Sequence, residues 1–151
     1  MSEIRGLLSQ LRRTYEGEAW HGPALTEILA GVTAAQAARR PLPASHTIWE
    51  IVLHISAWES AVCSRIEGRY TAEPDEGDWP AVADLSEAAW QATLATLDGT
   101  HQRLREAVRR FDEGRLHERL AEGKESAYFA ISGVIQHTLY HAGQIVLLKK
   151  A

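Results

Sequence analysis

Two histidines, His137 and His141, lie four residues apart near the end of the 151-residue chain. On a helix this spacing turns the backbone by about 400° and advances it about 6 Å, so both imidazoles leave the same face one turn apart. Two imidazoles placed in this way can converge on one metal ion at about 2.0–2.1 Å. The same spacing also arises by chance on helix surfaces, so the pair alone leaves both interpretations open.

The surroundings of the pair favour a metal site. Both histidines fall on the same helical face as Ala130, Val134 and Leu148, and two buried imidazoles without partners would cost free energy. His54 falls on the apolar face of another predicted helix and supplies a third imidazole. A lone histidine in that position is more often a hydrogen-bonded core residue. Together with the pair, we interpret it as the third ligand.

Three imidazoles would leave coordination positions open for water or substrate, as catalytic metal sites do and structural ones do not. The ligands are neutral, so they would not compensate the charge of a divalent ion. A water or thiol on such an ion has a lowered pKa and is nucleophilic near neutral pH. The sequence therefore predicts a metal site formed by His54, His137 and His141.

The other four histidines have less specific settings. His101 falls on the inward face of a third helix, where a fourth ligand, a base behind the ligands and a polar core residue are all consistent with the pattern. His21 lies at a helix break, a position that suits either substrate contact or simple solvation. His46 is expected to belong to the start of a helix, and His117 to an exposed loop.

A ligating imidazole usually passes its second N–H to a carboxylate, carbonyl or water. Gln144 follows the second histidine of the pair by three residues, and Glu50 and Glu59 lie near His54 in sequence. Each of the three is equally consistent with a surface or capping role. Candidate catalytic residues are thus His21, His101 and Gln144. Four aromatic residues are candidates either for the wall of a pocket or for the core: Trp20, Trp49, Trp58 and Tyr140.

Cys63, the one cysteine of the chain, lies nine residues after His54, about half a turn beyond two full helical turns. It is expected to face away from the ligands and to be a buried, apolar residue. A thiol in the reaction would then come from a small molecule. A single cysteine also excludes an intramolecular disulfide and a multi-cysteine zinc or iron–sulfur site.

Four long helices are predicted to position these residues, over residues 2–16, 45–67, 86–110 and 126–149, with short helical pieces at 24–30 and 34–39. Thr47 and Glu50 have the spacing of a capping box at the start of the second long helix. The pattern predicts an all-α four-helix bundle in a single domain, residues 1–151. The connections are longer than the two to eight residues usual between antiparallel helices, so a crossover between parallel helices is expected.

The chain carries 16 Lys and Arg against 20 Asp and Glu, a formal charge of −4, and 45% of its residues are apolar. These values favour one soluble domain and argue against binding to nucleic acid. No apolar run approaches about 18 residues, and the first residues lack the apolar core of a signal peptide. We expect a cytoplasmic protein that does not associate with membranes.

Three segments resemble the DinB/YfiT-like superfamily of bacterial four-helix-bundle proteins: residues 20–23 (WHGP), 46–59 (HTIWEIVLHISAWE) and 136–145 (QHTLYHAGQI). The most specific feature is the combination of H-x3-W-E on the second long helix with H-x2-Y-H-x-G-Q near the C-terminus. The resemblance covers nearly the whole chain. It implies an up-down-down-up bundle, often dimeric, with one metal-ligating histidine on the second helix and two on the fourth; the matching positions are His54, His137 and His141.

The metal of the superfamily varies among zinc, nickel, iron and others, and relatives include transferases and isomerases that use small bacterial thiols such as bacillithiol or mycothiol. The resemblance therefore implies a homodimeric metal-dependent enzyme, a thiol S-transferase or a hydrolase. In it a divalent ion would activate a small thiol or water for attack on an electrophilic small molecule. A non-catalytic metal- or ligand-binding stress protein and a purely structural domain are the alternatives.

Overall fold

The computed structural model describes residues 2–151, and the regular secondary structure of this range is helical. The all-α fold class is confirmed. The elements are α1 (Glu3–Tyr15), α2 (Leu25–Leu29), α3 (Ala34–Ala38), α4 (Ile48–Ile66), α5 (Glu87–Arg110) and α6 (Ala127–Lys150), with a short 3-10 turn at Glu113–Arg115. All six α-helices form close to their predicted bounds. Within residues 2–151, none of these helices has the length and hydrophobicity required to cross a bilayer.

Each long helix begins after a hydroxyl side chain that accepts a backbone N–H of the first turn: Ser2, Thr47, Ser86 and Ser126. At α4 the predicted capping box is present, because the Glu50 carboxylate accepts from the Thr47 N–H at 2.7 Å and Thr47 Oγ1 accepts from the Glu50 N–H at 3.1 Å. The cap sets the start of α4 and hence the face on which His54 lies.

Helices α4 and α5 run side by side in the same direction. Near their starts, Trp49 Nε1 donates to Thr93 Oγ1 at 3.0 Å. Further along both helices, the Ser56 and Thr100 hydroxyls lie 3.4 Å apart. The segment between these helices, residues 67–86, therefore returns the chain to the opposite end of the bundle.

Helices α4 and α6 run in opposite directions. The end of α4 contacts the residue before the start of α6, since Arg65 Nη1 donates to Glu125 Oε1 at 3.1 Å. In the first half of α4, His54 lies beside His137 in the middle of α6. This antiparallel packing brings the histidine of the second long helix to the pair on the fourth.

The buried apolar residues form two clusters along the bundle. One includes Trp49, Ile55 and Trp90; the other includes Leu104, Ile131 and Cys63. Cys63 is fully buried, as predicted, and burial raises the pKa of its thiol. This thiol is therefore held away from solvent and from reaction partners.

Candidate metal centre

Three imidazoles meet between α4 and α6. One ring nitrogen from each of His54, His137 and His141 lies within 4.8 Å of the other two. The Nε2 atoms of His54 and His137 are 2.8 Å apart. His54 and His141 are buried and His137 is half-buried. The three side chains are close enough together to hold one metal ion.

Neighbouring oxygen atoms orient two of the three rings. His54 Nδ1 donates to the backbone carbonyl of Asp78, which leaves Nε2 facing the other histidines. His141 Nδ1 donates to Gln144 Oε1 at 2.7 Å, which leaves its Nε2 free. His137 Nδ1 is buried and has no hydrogen-bond partner among residues 2–151. Each ring can therefore offer one nitrogen lone pair to an ion.

The surroundings favour the neutral form of His137 and His141. Burial, followed by the proximity of His141 and His54, lowers the pKa of His137 to about 4. Burial also lowers the pKa of His141, although its hydrogen bond to Gln144 opposes the shift. Metal ligands must be deprotonated to bind, so these two rings are ready to bind a cation at neutral pH. Three neutral imidazoles suit zinc, nickel and iron, so the donor set fits the predicted metal.

The metal-free protein is expected to lose stability as the pH falls from about 6.5 towards about 4. The unfolded chain takes up a proton on His137 near the ordinary pKa of 6.5, whereas the folded chain does so near 4. Between these values the unfolded state binds more protons, so the free energy of unfolding decreases with decreasing pH. Thermal unfolding followed by circular dichroism in the presence of EDTA measures this. His137→Asn should flatten the dependence, and exposed His117→Asn should not; equal slopes in both variants would contradict the assignment.

Gln144, a predicted support for a ligand, does contact one. Its Oε1 atom fixes the orientation of His141. Gln144→Ala is therefore expected to weaken the affinity for a divalent ion by about 10–100-fold, the usual effect of losing such a support. Titration calorimetry with zinc or nickel measures it. Exposed Gln136 on the same helix provides the matched control, Gln136→Ala, which should bind metal like the wild type; equal losses in both variants would contradict a specific role.

The loop between α4 and α5 also supports the histidines. This contribution of the loop was not predicted from the sequence. The Trp79 ring stacks between His54, at 3.8 Å between centroids, and His46, at 3.5 Å. Asp78 Oδ1 accepts from Trp58 Nε1 at 2.8 Å. The loop was predicted only as a long connection between two helices. The available signal was the single tryptophan of this loop, directly after several acidic residues.

His101 lies apart from the three histidines. It is 2% exposed, its Nδ1 lies 3.1 Å from Glu59 Oε1, and its ring stacks on Tyr15 at 4.0 Å. The structure therefore places it as a buried polar residue between α4 and α5. Glu59, expected near His54, instead binds His101, because five residues along α4 turn the side chain to a different face.

The other residues that the sequence suggested for the site lie either on the surface or in the core. His21 and Trp20 are exposed on the turn before α2, and the structure does not bring them to the three histidines. Glu50 caps α4 and pairs with Arg40, so it does not support His54. Trp49 is buried in the core.

A cavity of about 520 Å³ opens beside the three histidines. This volume is typical of sites for small molecules. Its walls come from α4, the loop after α4 and α6; besides the three histidines they comprise Trp58, Val62, Arg65, Asp78, Trp79, Glu125, Phe129, Ala130, Gly133, Val134 and Tyr140. A metal ion held by the histidines would therefore face a space that admits a substrate.

A family model described as the DinB superfamily matches residues 19–145. No curated protein and no solved structure matches the chain significantly. The matched range contains His54, His137 and His141 together with the helices that carry them. Because the match extends over most of the chain, and the helical fold and the cluster of histidines agree with the motifs, this chain belongs to the DinB superfamily.

Proposed function

We propose that this protein is a metal-dependent enzyme in which a divalent ion held by His54, His137 and His141 activates a small thiol or water for attack on an electrophilic small molecule. One observation carries the proposal: three ring nitrogens converge at the wall of a cavity large enough for a substrate. When bound, the ion would lower the pKa of a coordinated thiol or water. Zinc, nickel and iron are the metals that we consider.

The residues around the site would orient the ligands and limit access of water. The Asp78 carbonyl and the Gln144 amide hold two imidazoles in the tautomer that directs Nε2 to the centre. The Trp79 ring covers one face of His54. A partly enclosed site with preorganised ligands suits activation of a nucleophile, because the polar groups need not rearrange during the reaction.

The burial of Cys63 indicates that the nucleophile comes from outside the chain. Its side chain is fully buried and the pKa of its thiol is raised, so the protein's own thiol is poorly placed to react. In the transferase version of the proposal, a low-molecular-weight thiol is therefore the co-substrate. In the hydrolytic version, water takes its place.

The test combines metal analysis with an activity screen. Protein purified without an affinity tag is analysed for zinc, nickel and iron, loaded with each ion, and assayed with small thiols against an aryl halide, an epoxide and an ester. We expect turnover that requires the ion and is lost in His137→Ala but not in His117→Ala. Full metal loading without turnover in any assay, together with tight binding of a small ligand, would instead favour the non-catalytic binding protein.

We also propose that the protein acts in the cytoplasm as a homodimer, without nucleic acid as a partner. These proposals follow from the family resemblance and the composition. Sedimentation equilibrium tests the homodimer. A monomer over the whole micromolar range would contradict it.

A further inference from the structure

The cavity beside the three histidines is largely apolar away from them. Trp58 on α4 and Phe129 and Tyr140 on α6 line this space, and Val62 and Val134 contribute to its walls. Phe129 and Tyr140 are 68% and 67% exposed, so their rings lie at the mouth. Aromatic rings of this kind bind other rings through stacked or edge-to-face contacts.

Each charged side chain in the cavity wall is already engaged. Arg65 donates from Nε to the Thr71 carbonyl at 2.8 Å, from Nη2 to the Ala72 carbonyl at 2.9 Å and from Nη1 to Glu125 at 3.1 Å. The Asp78 carboxylate accepts from Trp58. An anionic ligand would lose its water here without gaining an unpaired cation, because Arg65 is already paired, and this is costly. Together with the apolar wall, this favours an uncharged ligand over an anionic one.

Gly133 leaves the space that such a ligand needs. It lies four residues after Phe129 and four before His137, on the same face of α6, and lines the cavity. Within the described chain, a Cβ atom added at Gly133 would meet no other atom within 4 Å. A side chain there would extend into the cavity between the mouth and the histidines.

We infer that the surface over Gly133, walled by Trp58, Phe129 and Tyr140, binds an uncharged aromatic group of the substrate while the reacting atom lies at the three histidines. This surface is called the Gly133 subsite. The inference rests on the proposed function, because it assigns the part of the substrate that lies away from the metal. It names the substrate class as an aromatic, uncharged electrophile.

The test uses metal-binding probes that differ only in what they place in the subsite. Protein loaded with Co²⁺ is titrated with imidazole, 4-phenylimidazole and 4-(4-carboxyphenyl)imidazole, and visible absorption of the ion reports binding. We expect the phenyl probe to bind at least about tenfold more tightly than imidazole, since its ring is removed from water. The carboxylate should cancel most of that gain.

Gly133→Leu should abolish the gain from the phenyl group while leaving the affinities for Co²⁺ and for imidazole unchanged. Gly143→Leu is the matched control: Gly143 lies on the same helix, is exposed and is likewise free of neighbours within 4 Å among the residues described. It should keep the gain. Circular dichroism checks that each variant folds. If Gly133→Leu does not fold, Gly133→Ala is used in its place, because alanine favours the helix.

The outcomes separate the inference from the proposed function. Co²⁺ binding with equal affinity for imidazole and 4-phenylimidazole, or a preference for the carboxylate, would overturn the Gly133 subsite and leave the metal site intact. If the phenyl group gives no gain in affinity and the wild-type protein is a dimer that dissociates in Gly133→Leu, a second copy of the chain covers this surface. That result would also overturn the Gly133 subsite. Failure to bind Co²⁺ would overturn the metal site and the inference together.

Discussion

His137→Ala is expected to reduce the affinity for a divalent ion by more than the roughly 10–100-fold that loss of a supporting hydrogen bond costs. The substitution removes one of three nitrogens, and specifically the one 2.8 Å from His54 Nε2. Two imidazoles would remain, on different helices. Titration calorimetry with zinc and nickel, on protein purified without an affinity tag, measures the change.

The same prediction has a consequence for stability. Ligand binding to the folded state alone adds about 4 kcal/mol to the free energy of unfolding at a free metal concentration of about 1,000 times Kd. Addition of EDTA should therefore lower the melting temperature of the metal-loaded wild type, and should have little effect on His137→Ala. His117→Ala is the control, since His117 is exposed and contacts Glu3. Full metal occupancy in a variant with all three histidines replaced by alanine would refute the site.

The helices and the histidine cluster could be predicted because both depend on local periodicity. Capping residues such as Thr47 mark where a helix starts, and 3.6 residues per turn then fix which side chains share a face. His137 and His141 share a face for that reason alone. His54 joins them through packing of α4 against α6, which its position on the apolar face of α4 made predictable.

The residues that orient the metal-binding histidines depend on contacts that the periodicity of the sequence does not describe. Asp78 lies 24 residues after His54, in a loop whose path is set by its own turns and by contacts with α4. Trp79 stacks on two histidines only because that loop folds back over the start of α4. The partner of Glu59 could not be predicted either, because it depends on the register in which α5 packs against α4.

Glu59→Leu is expected to destabilise the protein by about 1–3 kcal/mol, the usual cost of leaving a buried polar group without its hydrogen-bond partner. Glu59 is 1% exposed, and its two carboxylate oxygens lie 3.1 and 3.3 Å from His101 Nδ1. Without that carboxylate, His101 would be buried with neither ring nitrogen paired, because its Nε2 has no partner in the described part of the chain. Chemical denaturation measures the loss.

The double substitution Glu59→Leu with His101→Leu distinguishes a pairing effect from a packing effect. Replacing a buried pair with apolar residues is often neutral or stabilising, so the double variant should be more stable than either single variant and close to the wild type. Single variants within about 1 kcal/mol of the wild type would refute a buried pair. Metal affinity should be unchanged throughout, because the three metal-binding histidines do not include His101. Loss of turnover in a stable, metal-loaded double variant would give His101 a role in catalysis, whereas retained turnover limits the pair to holding α5 against α4.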